Sequence, residues 1–179
     1  MPAAEERVIL DQAHLEEALE RLAQAIQESC ANKGNLALVG IETRGVALAN
    51  RLAHRLKARL GLSPLLGSLD ITLYRDDFRL RRKLATSSTK LGFDIEGKDI
   101  VLVDDVIYSG RTIRAALDAL ADYGRAASVR LAILLDRGHR ELPISPDFVG
   151  VRVSSDKGEM VKVRLTEVDG RDEVISIRC

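Results

Sequence analysis

The segment Val101-Leu102-Val103-Asp104-Asp105-Val106-Ile107-Tyr108-Ser109-Gly110-Arg111-Thr112 carries the reading of the whole chain. The apolar run from Ile100 to Val103 predicts a short buried strand. It meets two adjacent carboxylates, a loop of small residues, and a helix from about Arg111 to Tyr123 that stops at Gly124. Strand, tight loop and helix in that order form the unit from which α/β domains are built.

The same alternation of strand and helix periods continues on both sides. Leu15, Leu19, Leu22 and Ile26 share one helical face behind Asp11, a fitting N-cap, and Asn32-Lys33-Gly34 closes that helix. Leu36 to Ile41 reads as a fully buried strand. Thr43-Arg44-Gly45 then turns into a helix with Val46, Leu48, Ala49, Leu52 and Leu56 on its inner side, ending near Gly61. Ser68 to Tyr74 and Val129 to Leu135 are expected as strands, and the tail holds short β-like stretches at Phe148 to Val153, Val161 to Leu165 and Val174 to Ile177. The pattern predicts one α/β domain over residues 1–179 with a mostly parallel central sheet flanked by helices. Between Arg75 and Lys98 the periodicity disappears, and Arg75, Arg79, Arg81, Arg82 and Lys83 interleave with Asp76 and Asp77. An irregular segment of that length inside a compact domain reads as a functional lid.

Composition narrows the function classes. Across 179 residues, 27 Lys and Arg balance 27 Asp and Glu, which speaks against a generic polyanion binder without excluding a local basic patch. No apolar run approaches the ~20 residues of a membrane helix, and the acidic start MPAAEERVILDQ lacks the layout of a signal peptide, so a soluble cytoplasmic protein with no membrane partner is expected. Cys30 and Cys179 support neither a disulfide framework nor a zinc site. Aromatic residues are 3% of the chain and Trp is absent, which disfavours a stacking platform for single-stranded nucleic acid.

In open α/β sheets ligands bind beyond the carboxyl ends of the strands, where the loop after Asp105 must lie. Ser109 and Gly110 let the backbone curl closely, so that the amides of Ser109 to Thr112 can face a phosphate with a helix N-terminus behind them. Asp104 and Asp105 are odd beside a bare phosphate but suit a ligand that also brings vicinal hydroxyls or a magnesium ion. Phosphate on one side and a diol on the other describes a ribose 5-phosphate. Two aspartates that merely end a strand are the bland alternative; it accounts for the pair but not for the loop that follows at this spacing. Gly92 to Asp99 nearly spells a Walker loop, yet Asp99 replaces the required Ser or Thr and the segment precedes a strand, so it predicts a turn.

Val101 to Thr112 resembles the phosphoribosyl-pyrophosphate (PRPP) signature of type I phosphoribosyltransferases. With Val39-Gly40-Ile41-Glu42-Thr43-Arg44-Gly45, the SLDITLYRDD of Ser68 to Asp77, the helix through Leu120, and the LLDRGHRELPI of Leu134 to Ile144, the chain resembles the PyrR family from Val8 to Ile177. These are bacterial pyrimidine-operon attenuation regulators that are also uracil phosphoribosyltransferases. The resemblance implies the type I phosphoribosyltransferase fold with a flexible hood over about 75–98. It also implies that Asp104 and Asp105 bind the ribose hydroxyls and share magnesium with PRPP and water. Val106, Ile107, Tyr108, Ser109, Gly110, Arg111 and Thr112 would hold the 5-phosphate, Thr43 and Arg44 would grip pyrophosphate, and Arg79 of the hood would contact phosphate. Asp136, Arg137 and Val161 match positions on the uracil side. The partners implied are PRPP, uracil, UMP or UTP, and the leader mRNA of a pyrimidine operon, bound by a homodimer or higher oligomer.

The chemistry agrees. Displacing pyrophosphate from an anomeric carbon passes through an oxocarbenium-like state that needs carboxylates near the positive charge, a cation at the leaving group and a lid against water. Asp104, Asp105 and Arg44 are the catalytic candidates. RNA is the less supported role: where attenuating members draw on basic and polar residues, this chain has Glu20, Gln24, Ser145 and Val151, although Arg140, Arg152 and Lys157 remain nearby. His139 reads equally as a ligand or RNA contact and as a loop histidine bonded to backbone, while His14 and His54 read as surface residues. The cluster of Arg79 to Lys83 is a phosphate clamp, an RNA contact or a solvated loop. Three functions stay open: the uracil enzyme, a nucleotide-sensing RNA attenuator with weak catalysis, and a phosphoribosyltransferase for another base.

Overall fold

A computed structural model of the chain describes residues 5–30, 33–75 and 88–178. Its main sheet grows around β2 (Leu36–Ile41) and β5 (Asp99–Ile107), whose residues are nearly all buried because both faces are covered. Along β5 the side chains alternate: Val101 and Val103 join the core under α1 (Gln12–Ser29) and α2 (Arg44–Leu60), while Ile100 and Leu102 join the core under α3 (Arg111–Ala121). β3 (Leu65–Leu69), β6 (Ser128–Asp136) and β7 (Phe148–Arg152) extend this sheet in parallel, and β4 (Lys90–Leu91) closes one edge antiparallel to β3, giving the order β4-β3-β2-β5-β6-β7. The expected mostly parallel, helix-flanked α/β fold is therefore present.

Local signals account for the helix ends. Asp11 caps α1 by accepting from the His14 backbone N–H at 3.0 Å, and α2 ends at Gly61, whose φ of 64° is the left-handed value that glycine adopts freely. The first helix stops at Ser29, earlier than Asn32-Lys33-Gly34 suggests, because the Cys30 N–H already closes the last turn on Ile26. Cys30 is buried with a free thiol, and the segment before β5 forms the expected turn, with Lys98 N–H donating to Ile95 O at 3.1 Å.

Three features differ from expectation. The strand placed at Ser68 to Tyr74 lies earlier, because Asp70 accepts from both the N–H and the hydroxyl of Thr72 (2.9 and 2.6 Å) and bends the chain into a 3-10 turn. Asp104 and Asp105 lie within β5 instead of beyond its end. Finally, β8 (Met160–Arg164) and β9 (Glu173–Arg178) leave the main sheet and pair with β1 (Glu5–Leu10), a strand the sequence reading lacked, in a separate antiparallel sheet ordered β1-β9-β8. A short helix, α4 (Thr166–Asp169), links β8 to β9. Among the described residues no helix is long and apolar enough to cross a membrane.

The corner between β2 and α2 sets the site. A Cβ on Gly45 would lie 2.3 Å from the Val103 carbonyl oxygen, and one on Gly40 would lie 2.4 Å from Val46 Cα. Glycine at both positions lets the start of α2 press directly on the backbone leading into Asp104.

Candidate active site

A cleft of about 440 Å³ opens at the carboxyl ends of β2, β3 and β5. Glu42, Thr43 and Arg44 line it from the start of α2, Asp70, Thr72 and Arg75 from the turn after β3, and Asp104, Asp105, Val106 and Thr112 from β5 and the first turn of α3. The Glu42–Thr43 peptide at its rim is cis.

The two aspartates carry the unusual electrostatics. Asp104 is buried at 7% exposure, and its Oδ1 accepts from the Asp105 N–H at 2.9 Å. Burial and then the neighbouring Asp105 charge push its carboxyl well above the ordinary carboxylate range. Burial also raises Asp105, against the pull of the Val106 N–H on its Oδ1 at 2.8 Å, its bond with Asp104 and the Arg44 charge. Like carboxylates this close and this dry are relieved by a cation or a developing positive charge.

Arg44 faces the pair from across the cleft. Its Nε and Nη2 donate to Asp169 Oδ2 and Oδ1 at 3.1 and 2.7 Å, a partner 125 residues away that spacing alone could not reveal. Asp70 is the second residue the sequence reading missed. Besides Thr72, its carboxylate accepts from the N–H and hydroxyl of Ser88 (3.0 and 3.1 Å), and its own N–H donates to Thr89 Oγ1, tying both stems of the lid segment together. The Asp-x-Thr spacing of Asp70 to Thr72 is the signal that could have found it.

The loop from Tyr108 to Thr112 is held from the opposite side. Gly110, at φ 92°, caps α3, and Ser109 O accepts from the N–H groups of Glu141 and Leu142 at 3.0 and 3.1 Å. Ser109 Oγ accepts from the Arg111 N–H at 3.3 Å, and the Arg111 side chain extends to Glu141. Ile107 is a core residue, so of the loop side chains only Val106 and Thr112 reach the cleft. The Arg137 guanidinium lies 4.5 Å above the Tyr108 ring, and Arg140 donates to Tyr108 O at 3.1 Å.

None of the three residues expected on the uracil side lines this cleft. Asp136, level with Ile107 in the sheet, accepts from the Gly138 N–H and pairs with Arg140. Buried Arg137 donates to Ser155 Oγ and to the carbonyls of Asp156 and Glu159, so it braces a loop. Val161 lines a separate cavity of about 300 Å³ with Arg7, Ser155 and Arg178. Of the RNA candidates, His139 bonds the Ser155 carbonyl at 2.5 Å, its backbone reading, and Arg140 is committed to Asp136, Gly138, Tyr108 and Ile144; Arg152 is exposed at the end of β7. Arg79, Arg81, Arg82 and Lys83 lie outside the described residues.

No cluster of three or more His, Cys, Asp or Glu able to hold a metal occurs among the described residues. The donor set suits a magnesium ion that takes its remaining oxygens from a phosphorylated ligand and water, with Asp104 and Asp105 relieved of their mutual repulsion.

Comparison with known proteins agrees with this geometry. The phosphoribosyl transferase domain model matches residues 7–167. The hypoxanthine phosphoribosyltransferase of Trypanosoma cruzi in complex with the product IMP superposes with a TM-score of 0.75 at 16% identity, covering 99% of this chain and 96% of that one. One from Staphylococcus aureus reaches 0.68 at 19%, over 94% and 90%. At such identities the likeness shows the fold. Among curated relatives, the bifunctional protein PyrR of Pelotomaculum thermopropionicum is 51% identical over 174 residues, covering 97% of this chain and 96% of the relative. That of Listeria monocytogenes serotype 4b (strain CLIP80459) is 49% identical over 174 residues and 95% of each. With half its residues shared over nearly its full length, and the aspartate pair, the Ser109 loop and Arg44 gathered at the carboxyl ends of the central strands, the chain belongs to the PyrR family of bifunctional phosphoribosyltransferase proteins.

Proposed function

We propose that this protein joins uracil to the ribose 5-phosphate of PRPP, releasing pyrophosphate and UMP, and that it also regulates pyrimidine genes through a nucleotide-dependent hold on leader mRNA. The carrying observation is the Asp104–Asp105 pair, with Asp104 buried, facing Arg44 across one cleft beside the α3 N-terminus. Uracil N1 bonds to the anomeric carbon and gives up its proton to the departing pyrophosphate or to water, while the bond from that carbon to pyrophosphate breaks and its electron pair leaves with the pyrophosphate oxygen. Asp104 and Asp105 accept hydrogen bonds from the ribose hydroxyls and lie beside the positive charge that develops on the ring. The loop of Tyr108 to Thr112 holds the 5-phosphate at the helix N-terminus, and Thr43 and Arg44 take the leaving pyrophosphate. Asp104 and Asp105 would hold a magnesium ion, which would supply charge neutralisation at the leaving group. The Arg137 guanidinium stacks over the Tyr108 ring at the start of that loop.

The test is UMP formation from uracil and PRPP with and without magnesium, with adenine, guanine, hypoxanthine and orotate competing. Magnesium-dependent UMP formation from uracil alone is expected. Product from another base overturns the substrate, and no product from folded protein that binds UMP leaves a sensor. A gel shift with pyrimidine leader RNA, weakening steeply with salt, tests the regulatory half.

A further inference from the structure

We infer that Asp169 is a positioning residue for the leaving-group side of the cleft, holding the Arg44 guanidinium in the pose that receives pyrophosphate; the inference rests on the phosphoribosyl-transfer reading above. Asp169 takes Arg44 from the side, through Nε and Nη2, so Nη1 stays outside this pair as a donor. Arg44 lines the cleft and lies close enough to Asp105 for their charges to act on one another. A lone arginine on the first turn of a helix would sweep through many rotamers; one clamped at two nitrogens presents its remaining donors in one direction.

The clamp is itself anchored. Asp169 Oδ2 also accepts from the Leu165 N–H at 3.0 Å, and its bonds with Arg44 and then that backbone contact hold its carboxyl below the usual range despite partial burial. The surrounding turn is fastened a second time to α2, where Arg51 pairs with Glu167 at 2.6 Å and with Asp172 at 2.8 Å. Arg51 does not line the cleft, so its latch supplies an internal contrast: the same turn and the same chemistry, with no reach to the ligand. The small antiparallel sheet thus touches the reaction through one carboxylate, Asp169. The opposite role, a carboxylate that competes with pyrophosphate for Arg44, predicts the reverse sign and is separated by the same measurement.

Calorimetric titration of magnesium pyrophosphate into the full chain decides between them. Asp169→Asn is expected to weaken binding about tenfold and to raise the KM for PRPP by a similar factor, with kcat changed less than KM. Glu167→Gln, which loosens only the Arg51 latch, should bind within about twofold of wild type. Asp169→Glu keeps the charge on a longer arm, is expected to give an intermediate loss, and serves if the Asn variant does not fold. Equal or tighter pyrophosphate binding by the Asp169 variants overturns the inference. Wild-type protein that binds no magnesium pyrophosphate overturns the proposed function instead, and this inference with it.

Discussion

Two groups of charges border α2 and behave in opposite ways. Along its outer side Arg51, Arg55 and Arg59 meet Glu16, Glu20, Glu167 and Asp172: Arg55 reaches Glu20 at 3.1 Å and contacts Glu16 more closely, and Arg59 bonds Glu20. Every cation there has an anion, and Arg51 is held firmly in its charged form by Glu167 and Asp172 against the cost of its burial. At the N-terminal end of the same helix two carboxylates stand together, one of them buried, and Arg44, which faces them, is already bonded to Asp169. Matched charges in half-exposed positions build a scaffold; like charges left together under burial mark where a ligand completes the set. The ladder also accounts for the weak case for RNA on α1, since Glu16 and Glu20, with the arginines facing them, neutralise that face.

Substitutions sharpen the contrast, beginning with the largest effect. Asp105→Asn should leave the fold intact and cut turnover by about 10²–10³-fold, because it removes charge facing the cationic transition state. Near-normal turnover would make the cleft no different from the ladder. Asp104→Asn should abolish most activity yet melt at a higher temperature than wild type near neutral pH in the absence of ligand. The raised native pKa means that, between the ordinary carboxyl value and the raised one, the native state keeps a proton the unfolded chain has lost, so wild-type stability falls as pH climbs through that window. The melting difference should vanish below the ordinary carboxyl range; a constant difference across pH would dissociate it from the buried charge. Glu20→Gln, the smallest effect, should cost about 0.5–1 kcal/mol of stability at low salt, shrink at high salt, and leave turnover within twofold. A selective loss of turnover there would join the ladder to the site.

The parts legible in the sequence were those with short-range periodicity. Buried runs such as Leu36 to Ile41 and the strand–loop–helix around Asp104 are local patterns; the first falls where expected, and the second keeps its order although its strand runs on to Ile107. The strand β1 went unread because EERVIL mixes two carboxylates and an arginine with its apolar residues and finds its partner, β9, only at the far end of the chain. The tail strands were visible as strands, but which sheet they join depends on that same distant pairing. In the site, Asp104, Asp105 and the Ser109 loop were accessible because their chemistry follows from adjacent residue types, whereas Arg44 was reached through the family resemblance. Asp169 was not, since its meaning lies wholly in a contact with Arg44 across the fold. The partners of Arg137, which are Ser155 and the carbonyls of Asp156 and Glu159, were equally out of reach, because they turn on where its guanidinium points and not on where the residue sits in the chain.

The glycine corner has an evolutionary consequence. Where Gly40 and Gly45 bring α2 against the strand leading to Asp104, the contact is backbone on backbone, and any Cβ would collide. A joint with no side chains leaves substitution little room, so it fixes the distance between Arg44 and the Asp104–Asp105 pair. Divergence in substrate must then accumulate elsewhere, in the turn after β3 and in the loops that follow β6 and β7, where side chains can be exchanged without moving that joint. Engineered changes of base preference belong in those loops, and libraries that leave Gly40 and Gly45 untouched should retain the largest fraction of folded, PRPP-competent members.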